Sequence, residues 1–169
     1  NGVATIDGTV AIGSSALKTL TSGEGNVAIG YQSLDAEDDG DFNTAVGYQA
    51  LTAQTGTSGT VANTAVGYKA GVAITKGRYN TIIGKDALYT DDVGDGSTAI
   101  GFASLYAQNS DSDNEATGNT GVGYYSGVYN VTGQNNTYLG YNSGLGVSGN
   151  SHSNNTGVGK DALLSITTG

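Results

Sequence analysis

Apolar and small residues recur along this chain in short alternating stretches, each centred on a glycine that follows an aliphatic residue. The anchors are Gly13, Gly30, Gly47, Gly67, Gly84, Gly101, Gly123, Gly140 and Gly159, separated by 17, 17, 20, 17, 17, 22, 17 and 19 residues. Counted from its anchor, each copy has a core running from −4 to +4. Position −4 is Asn at 26, 43, 63, 80, 119, 136 and 155, with Thr9 and Ser97 in the other two copies. Position −3 is Val10 and Val27, then Thr throughout; −1 is always Ile, Val or Leu; +1 is mostly Tyr or Phe; +3 is Ala or Ser; +4 is Leu or Gly.

A period of two predicts a strand. Thr/Val, Ile/Val and Tyr at −3, −1 and +1 share one face, and Asn, Ala and Gly at −4, −2 and 0 share the other. The first face is the more apolar, so we expect it inside. A helix is excluded: each central Gly would cost roughly 1 kcal/mol relative to Ala, and no stripe of period 3.6 appears.

The linkers between cores have 8, 8, 11, 8, 8, 13, 8 and 10 residues. Every eight-residue linker has a glycine seven before the next anchor (Gly23, Gly40, Gly77, Gly94, Gly133), and a positive φ at a chain reversal would account for it. Extra length enters only in linkers, and thirteen of the fifteen acids lie outside the cores, Asp86 and Asp161 excepted. Cores are therefore packed and linkers hydrated. A unit of 17 residues cannot close a core alone, but stacked units can. The expected fold is all-β: one β-solenoid domain spanning 1–169, a parallel β-roll of nine coils of 17–22 residues. We expect two short strands per coil and a rod about 40 Å long at about 4.8 Å per coil. In-register stacking would line the Asn residues into a ladder.

The −2 and 0 positions form a strip almost free of side chains: Ala28 and Gly30, Ala45 and Gly47, Ala65 and Gly67, Ala99 and Gly101. Glycine weakens a strand unless another backbone approaches closely. We expect this strip to pack against identical chains; the alternative is that glycine relaxes a bend in the coil.

Composition changes this picture little. With 29 Gly and 37% hydrophobic residues the chain could be disordered, but residues in register argue for order, and glycine is not at every third position as collagen needs. A net charge of −9 argues against nucleic acid and anionic membranes, which call for basic patches. No apolar run approaches the roughly 20 residues of a membrane span, so membrane insertion is not expected. There is no Cys, hence no disulfide framework. The chain opens on Asn1 rather than Met, and the pattern reaches both ends without a polar capping unit. We therefore expect an excerpt or a processed product of something longer.

The copies "NVAIGYQSL" (26–34), "TVAIGSSAL" (9–17) and "STAIGFASL" (97–105) resemble the "N-x-V-A-I-G-x-x-A" repeats of trimeric autotransporter adhesin heads. "NTAVGYQAL" (43–51) and "NTGVGKDAL" (155–163) are more similar to repeats of long bacteriophage tail fibres. The resemblance covers all nine copies. It implies a left-handed parallel β-roll with three chains side by side, and no catalytic residue. The copies depart from the adhesin pattern in length and in the Thr at −3. The resemblance implies a segment of a homotrimeric tail fibre that holds edge loops toward a host-surface glycan or protein, located on the virion. The alternative is the head of a bacterial surface adhesin, extracellular or at the cell surface.

Candidate chemistry is sparse, and we expect no enzyme. His152 lies in a polar linker, read as solvated, with no nucleophile or acid fixed near it. "GLGVSG" (144–149) fits a dinucleotide pattern, but no helix follows it. Paired carboxylates for a glycan depolymerase are missing from the cores. "DAEDDGDF" (35–42) puts Asp35, Glu37 and Asp39 at alternate positions, like the start of a calcium loop. The closing Glu of such a loop would fall on Val46, so a hydrated acidic turn is preferred and no cofactor is expected beyond calcium binding on the order of millimolar. The longest linker, 106–118, is the expected receptor-contact loop, with Tyr106, Asn109, Asp111 and Asp113 as candidate contacts. Tyr89, Tyr106 and Tyr129, if exposed, would suit stacking on sugar rings. The Thr at −3 raises ice binding, set aside because those Thr share the face expected inside.

Overall fold

The computed structural model describes residues 7–56 and 59–168; residues 1–6, 57–58 and 169 lie outside the described part. The strands are β1 (Val10–Ile12), β2 (Val27–Ile29), β3 (Gly40–Asp41), β4 (Thr44–Val46), β5 (Gly59–Thr60), β6 (Thr64–Val66), β7 (Thr81–Ile83), β8 (Thr98–Ile100), β9 (Thr120–Val122), β10 (Thr137–Leu139) and β11 (Thr156–Val158). Nine of them, each ending one residue before an anchor glycine, form one parallel sheet in the order β1-β2-β4-β6-β7-β8-β9-β10-β11. Pairing follows the repeat residue for residue, Val27 opposite Thr44 and Ile29 opposite Val46, for example. The chain is an all-β solenoid of about nine turns. Among the described residues there is no helix long and apolar enough to cross a membrane.

Each coil carries one principal strand, where two were expected. Among the described residues the second sheet consists of β3 paired with β5, and a separate isolated bridge joins Asp95 and Ala116. The backbone explains this. After the strand, φ is positive at 0, +2 and +4, as at Gly30 (138°), Gln32 (53°) and Leu34 (50°), and again at −5, as at Gly25 (63°). Left-handed residues curl the coil too tightly for a strand. Each non-glycine case costs about 1–2 kcal/mol, and the conformation persists because the next coil repeats it. Gln32 N–H donates to Ser14 O at 3.0 Å and Leu17 N–H to Ser33 O at 3.1 Å, so the curled backbone remains hydrogen-bonded between rungs.

The two strand faces are reversed relative to the expectation. Ala28, Ala45, Ala65 and Ala99 at −2 are fully buried inside the coil, with Leu34, Leu51, Leu88 and Leu105 at +4. They form one continuous core and cannot meet a sister chain. The −1 and +1 side chains point outward instead: Ile12 is 58% exposed and Tyr48 44%. The interior of so short a coil is narrow, so Ala opposite Leu fills it and a Tyr column would not fit. Two rungs show the volume rule. Where −2 is Ile82, the preceding +4 is Gly71, whose added Cβ would come within 2.7 Å of the Ile82 side chain. Where −2 is Tyr138, both Gly127 and Gly144 stand at +4, with 2.9 Å and 2.2 Å left for a Cβ.

Close backbone approach does explain the anchors, but the approaching backbone belongs to the same chain. A Cβ on Gly30 would sit 2.4 Å from Gly47 O, and one on Gly47 would sit 2.3 Å from Gly67 O. Gly30, Gly47, Gly67 and Gly101 are therefore packing points between successive rungs, and the expectation that they join subunits is corrected. The linker glycines at −7 also owe their identity to proximity, since none of them has positive φ. A Cβ on Gly23 would lie 2.4 Å from Gly40 O, and one on Gly77 would lie 2.5 Å from Gly94 O.

The Asn ladder is present and is tied mainly to backbone. Asn63 Oδ1 accepts from Asn80 N–H at 2.9 Å, while its Nδ2 donates to Gly77 O at 2.6 Å and Gln54 Oε1 at 2.8 Å. Asn80 repeats this with Ser97 N–H and Gly94 O. Among the described residues, ladder asparagines bond one another side chain to side chain near the far end, as Asn136 Nδ2 does to Asn119 Oδ1. Each buried Asn thus clamps its own rung to the next.

Candidate functional site

Three columns form the outer face of the sheet. Threonines at −3 are half-buried to exposed, aliphatic side chains stand beside them at −1, and aromatic rings at +1. The rings stack along the rod, Tyr31 on Tyr48 at 5.1 Å and Tyr48 on Tyr68 at 5.3 Å. Lys85 takes the next place, its Nζ 5.6 Å from the Tyr68 centroid and 5.0 Å from that of Phe102. Stacking then resumes from Phe102 to Tyr124 and Tyr141, and Lys160 closes the column 5.8 Å over Tyr141. Register alone places these groups: identical positions lie one rung apart, close to ring-stacking distance. The face is about 40 Å long and about 13 Å wide. That puts it toward the upper end of the apolar patches that monomers leave bare.

Beside this face, on the turn side, a cavity of about 370 Å³ is lined by Asp86, Phe102, Ala103, Tyr106, Tyr125, Val128, Tyr129 and Leu145. Ala103 explains its place. The +2 column reads Ser15, Gln32, Gln49, Lys69, Asp86, Ala103, Tyr125, Asn142, Asp161, and Ala103 is the smallest member. On rungs two and three the Gln49 Nε2 donates to Gln32 Oε1 at 2.8 Å and fills the equivalent space.

The structure separates the expected contact residues. Tyr106 is half-buried, stacks on Tyr89 at 4.9 Å, and forms part of the cavity wall. Asn109, Asp111 and Asp113 are exposed farther along the loop. Asn109 N–H donates to Val131 O at 2.9 Å, Asp111 N–H to Glu115 Oε2 at 2.9 Å, and Asp113 is paired with Lys76 at 2.7 Å. Arg78 reaches Asn114, and Gln134 reaches Glu115. The longest linker is thus held to the rungs on either side. Sequence reasoning found Tyr106 but missed Ala103 and Tyr125; the signal was the loss of bulk at +2 in rung six.

The acidic linker is less hydrated than expected. Glu37 is fully buried, its Oε1 accepting from Gly40 N–H at 2.8 Å and Asp38 N–H at 3.1 Å. Burial raises its carboxyl above the ordinary range, although those N–H bonds oppose the shift. Oxygens of Glu37, Asp38 and Asp39 lie within 4.8 Å of one another, whereas the sequence reading had grouped Asp35, Glu37 and Asp39. Asp91 is buried in the same way on rung five, accepting from Gly94 N–H at 3.2 Å.

His152 is not solvated: it is 3% exposed, and its Nδ1 lies 2.7 Å from the Tyr138 hydroxyl. Burial raises the Tyr138 pKa and keeps its hydroxyl protonated, so the hydroxyl and Nδ1 share one hydrogen bond whose direction follows the imidazole tautomer, while Nε2 has no hydrogen-bond partner among the described residues. Burial holds the imidazole below its ordinary value. The unfolded chain therefore takes up the proton at higher pH than the folded one. The stability this group contributes is fully present above about pH 6.5 and is lost as pH falls through the folded value. Glu37 acts in the opposite sense, because its folded pKa is raised. Because the raised carboxyls of Glu37, Asp39 and Asp95 oppose it, the His152 contribution is read as a difference: from about pH 7.5 down to about pH 5, the Tm of His152→Gln should rise relative to that of the wild type.

The chain matches no protein-family model, no curated protein and no solved structure. Its chemistry rests on its own residues.

Proposed function

We propose that this chain is a segment of a homotrimeric fibre, a left-handed roll whose stiff rod presents loops and clefts to a host surface, as in a phage tail fibre. The observation that carries this reading is the outer face of Ile/Val and Tyr. It is apolar, exposed and unbroken by acids over nine rungs, and its regular spacing is the same on every copy of the chain. Identical ladders meet in register at every rung, so contact repeats along the full length. The contact therefore uses −3, −1 and +1, including Ile29, Val66, Ile83 and Tyr68. Weak contacts made by three copies of each cleft would add through effective concentration.

Sedimentation equilibrium tests the association. The purified chain should give three times its 16.9 kDa mass. Val66→Asp together with Ile83→Asp should shift it toward monomer by at least tenfold in concentration while leaving the circular dichroism unchanged, because both side chains lie outside the core. A wild type that stays monomeric at all concentrations would sink the fibre reading. The head of a bacterial adhesin would work by the same mechanism, and the genes flanking the coding sequence would distinguish the two settings.

One observation favours a second reading. Thr44, Thr64, Thr81, Thr98, Thr120 and Thr137 stand on the outer face, so the ground for setting ice binding aside is gone. One Thr per coil beside a Tyr column still makes a weaker ice-matching array than two Thr per coil. Thermal hysteresis measured on the monomeric double variant, with the face uncovered, would decide it.

A further inference from the structure

We propose that the cavity around Ala103 is a binding site for a neutral saccharide. This rests on the fibre reading and names what the fibre would hold. The cavity lies within the size range of small-molecule sites. Its walls are aromatic: Phe102 and Tyr125 have centroids 5.4 Å apart and tilted at 52°, and Tyr106 is backed by the stacked Tyr89. Tyr129, Val128 and Leu145 complete the lining. Ring faces of this kind take the C–H face of a pyranose, while hydroxyls and a carboxylate at the edge orient its O–H groups. Here Tyr106, Tyr125, Tyr129 and Asp86 are the lining residues that carry hydroxyls and a carboxylate.

Charge selects among occupants. Asp86 Oδ2 is paired with Lys85 Nζ at 2.6 Å, so the cavity carries no uncompensated carboxylate to hold a cation. The net charge of −9 repels anionic sugars. A neutral polyol with one apolar face fits what remains. Because Phe102 belongs both to the cavity and to the +1 column, the site borders the face assigned to association, and three such sites would lie around one fibre at the same level.

Ala103→Gln is the informative substitution. Gln occupies the same repeat position at Gln32 and Gln49 with φ of 53° and 55°, against 51° at Ala103, so the variant keeps the fold and fills the cavity. Saturation-transfer NMR would be recorded with maltose, lactose and chitobiose, followed by titration with the best of the three. The wild type should transfer saturation to ring protons of at least one disaccharide, with a Kd on the order of millimolar per site. Ala103→Gln should weaken that binding at least tenfold with unchanged Tm and sedimentation, and Tyr106→Ala should weaken it too. The proposal is overturned if none of the three disaccharides binds, if Ala103→Gln binds as well as wild type, or if tetramethylammonium displaces the sugar, since that would mark a cation cage. Sedimentation on the same samples keeps the two readings apart: a trimer that ignores sugars overturns this site alone, and a monomer that binds through it overturns the fibre alone.

Discussion

Gly47→Ala is expected to lower stability by upwards of about 4 kcal/mol, from two effects acting together. Gly47 has φ of 137°, which L residues rarely adopt and which costs about 1–3 kcal/mol. Its new Cβ would stand 2.3 Å from Gly67 O and 2.7 Å from Gly67 C. Both are backbone atoms fixed by the next rung, so neither can rotate away. Relief requires the third and fourth rungs to part, breaking bonds such as Gly67 N–H to Val46 O at 2.8 Å. A solenoid is held by nearest-neighbour interfaces, so urea unfolding followed by circular dichroism should change from one transition to two. Gly159→Ala is the control. It occupies the same repeat position with φ of 114°, but nothing lies within 4 Å of its Cβ, and it should cost only the dihedral strain. Equal losses in the two variants would show that inter-rung collision contributes nothing.

Asn63→Ala should be nearly as damaging, at about 3–6 kcal/mol, because it strands three buried partners at roughly 1–3 kcal/mol apiece less what local relaxation recovers. Asn80 N–H loses its acceptor, and Gln54 Oε1 and Gly77 O lose a donor. Asn63 is fully buried, so water cannot stand in at no cost. Amide hydrogen exchange gives a local readout: the Asn80 amide should lose protection by more than any other amide of its rung. If Asn80 exchange were unaffected while global stability fell, the loss would be one of packing and the clamp would not be its cause.

Much of the architecture was legible in the spacing. Nine glycines after nine aliphatic residues mark nine rungs, and backbone pairing such as Thr81 opposite Thr98 and Ile83 opposite Ile100 follows that alignment without a slip. The Asn at −4 was recognisable as a ladder for the same reason. Orientation was not legible. Alternation shows that Thr, Ile and Tyr share one side, yet it says nothing about which side closes. Apolar character pointed the wrong way because it takes no account of room: Ala45 fits the narrow interior against Leu51, while Tyr48 can only stack outside. His152 and Glu37 were misplaced through the same kind of omission. Their surroundings are supplied by Tyr138 and by backbone N–H groups brought close by folding.

The cavity shows the division most clearly. A single Ala at a position where other rungs carry Gln, Lys or Tyr is visible in the alignment of copies, but its meaning depends on Phe102, Tyr125 and Tyr129 closing around the gap. From its residues alone, the chain determines the number of rungs, their register and where extra length enters, because hydrogen-bonded stacking repeats whatever period the backbone carries. The folded coil decides which face is inward, which glycines are crowded and which groups become neighbours. Those depend on volume and on contacts between residues 14 to 22 positions apart, neither of which a one-dimensional pattern contains.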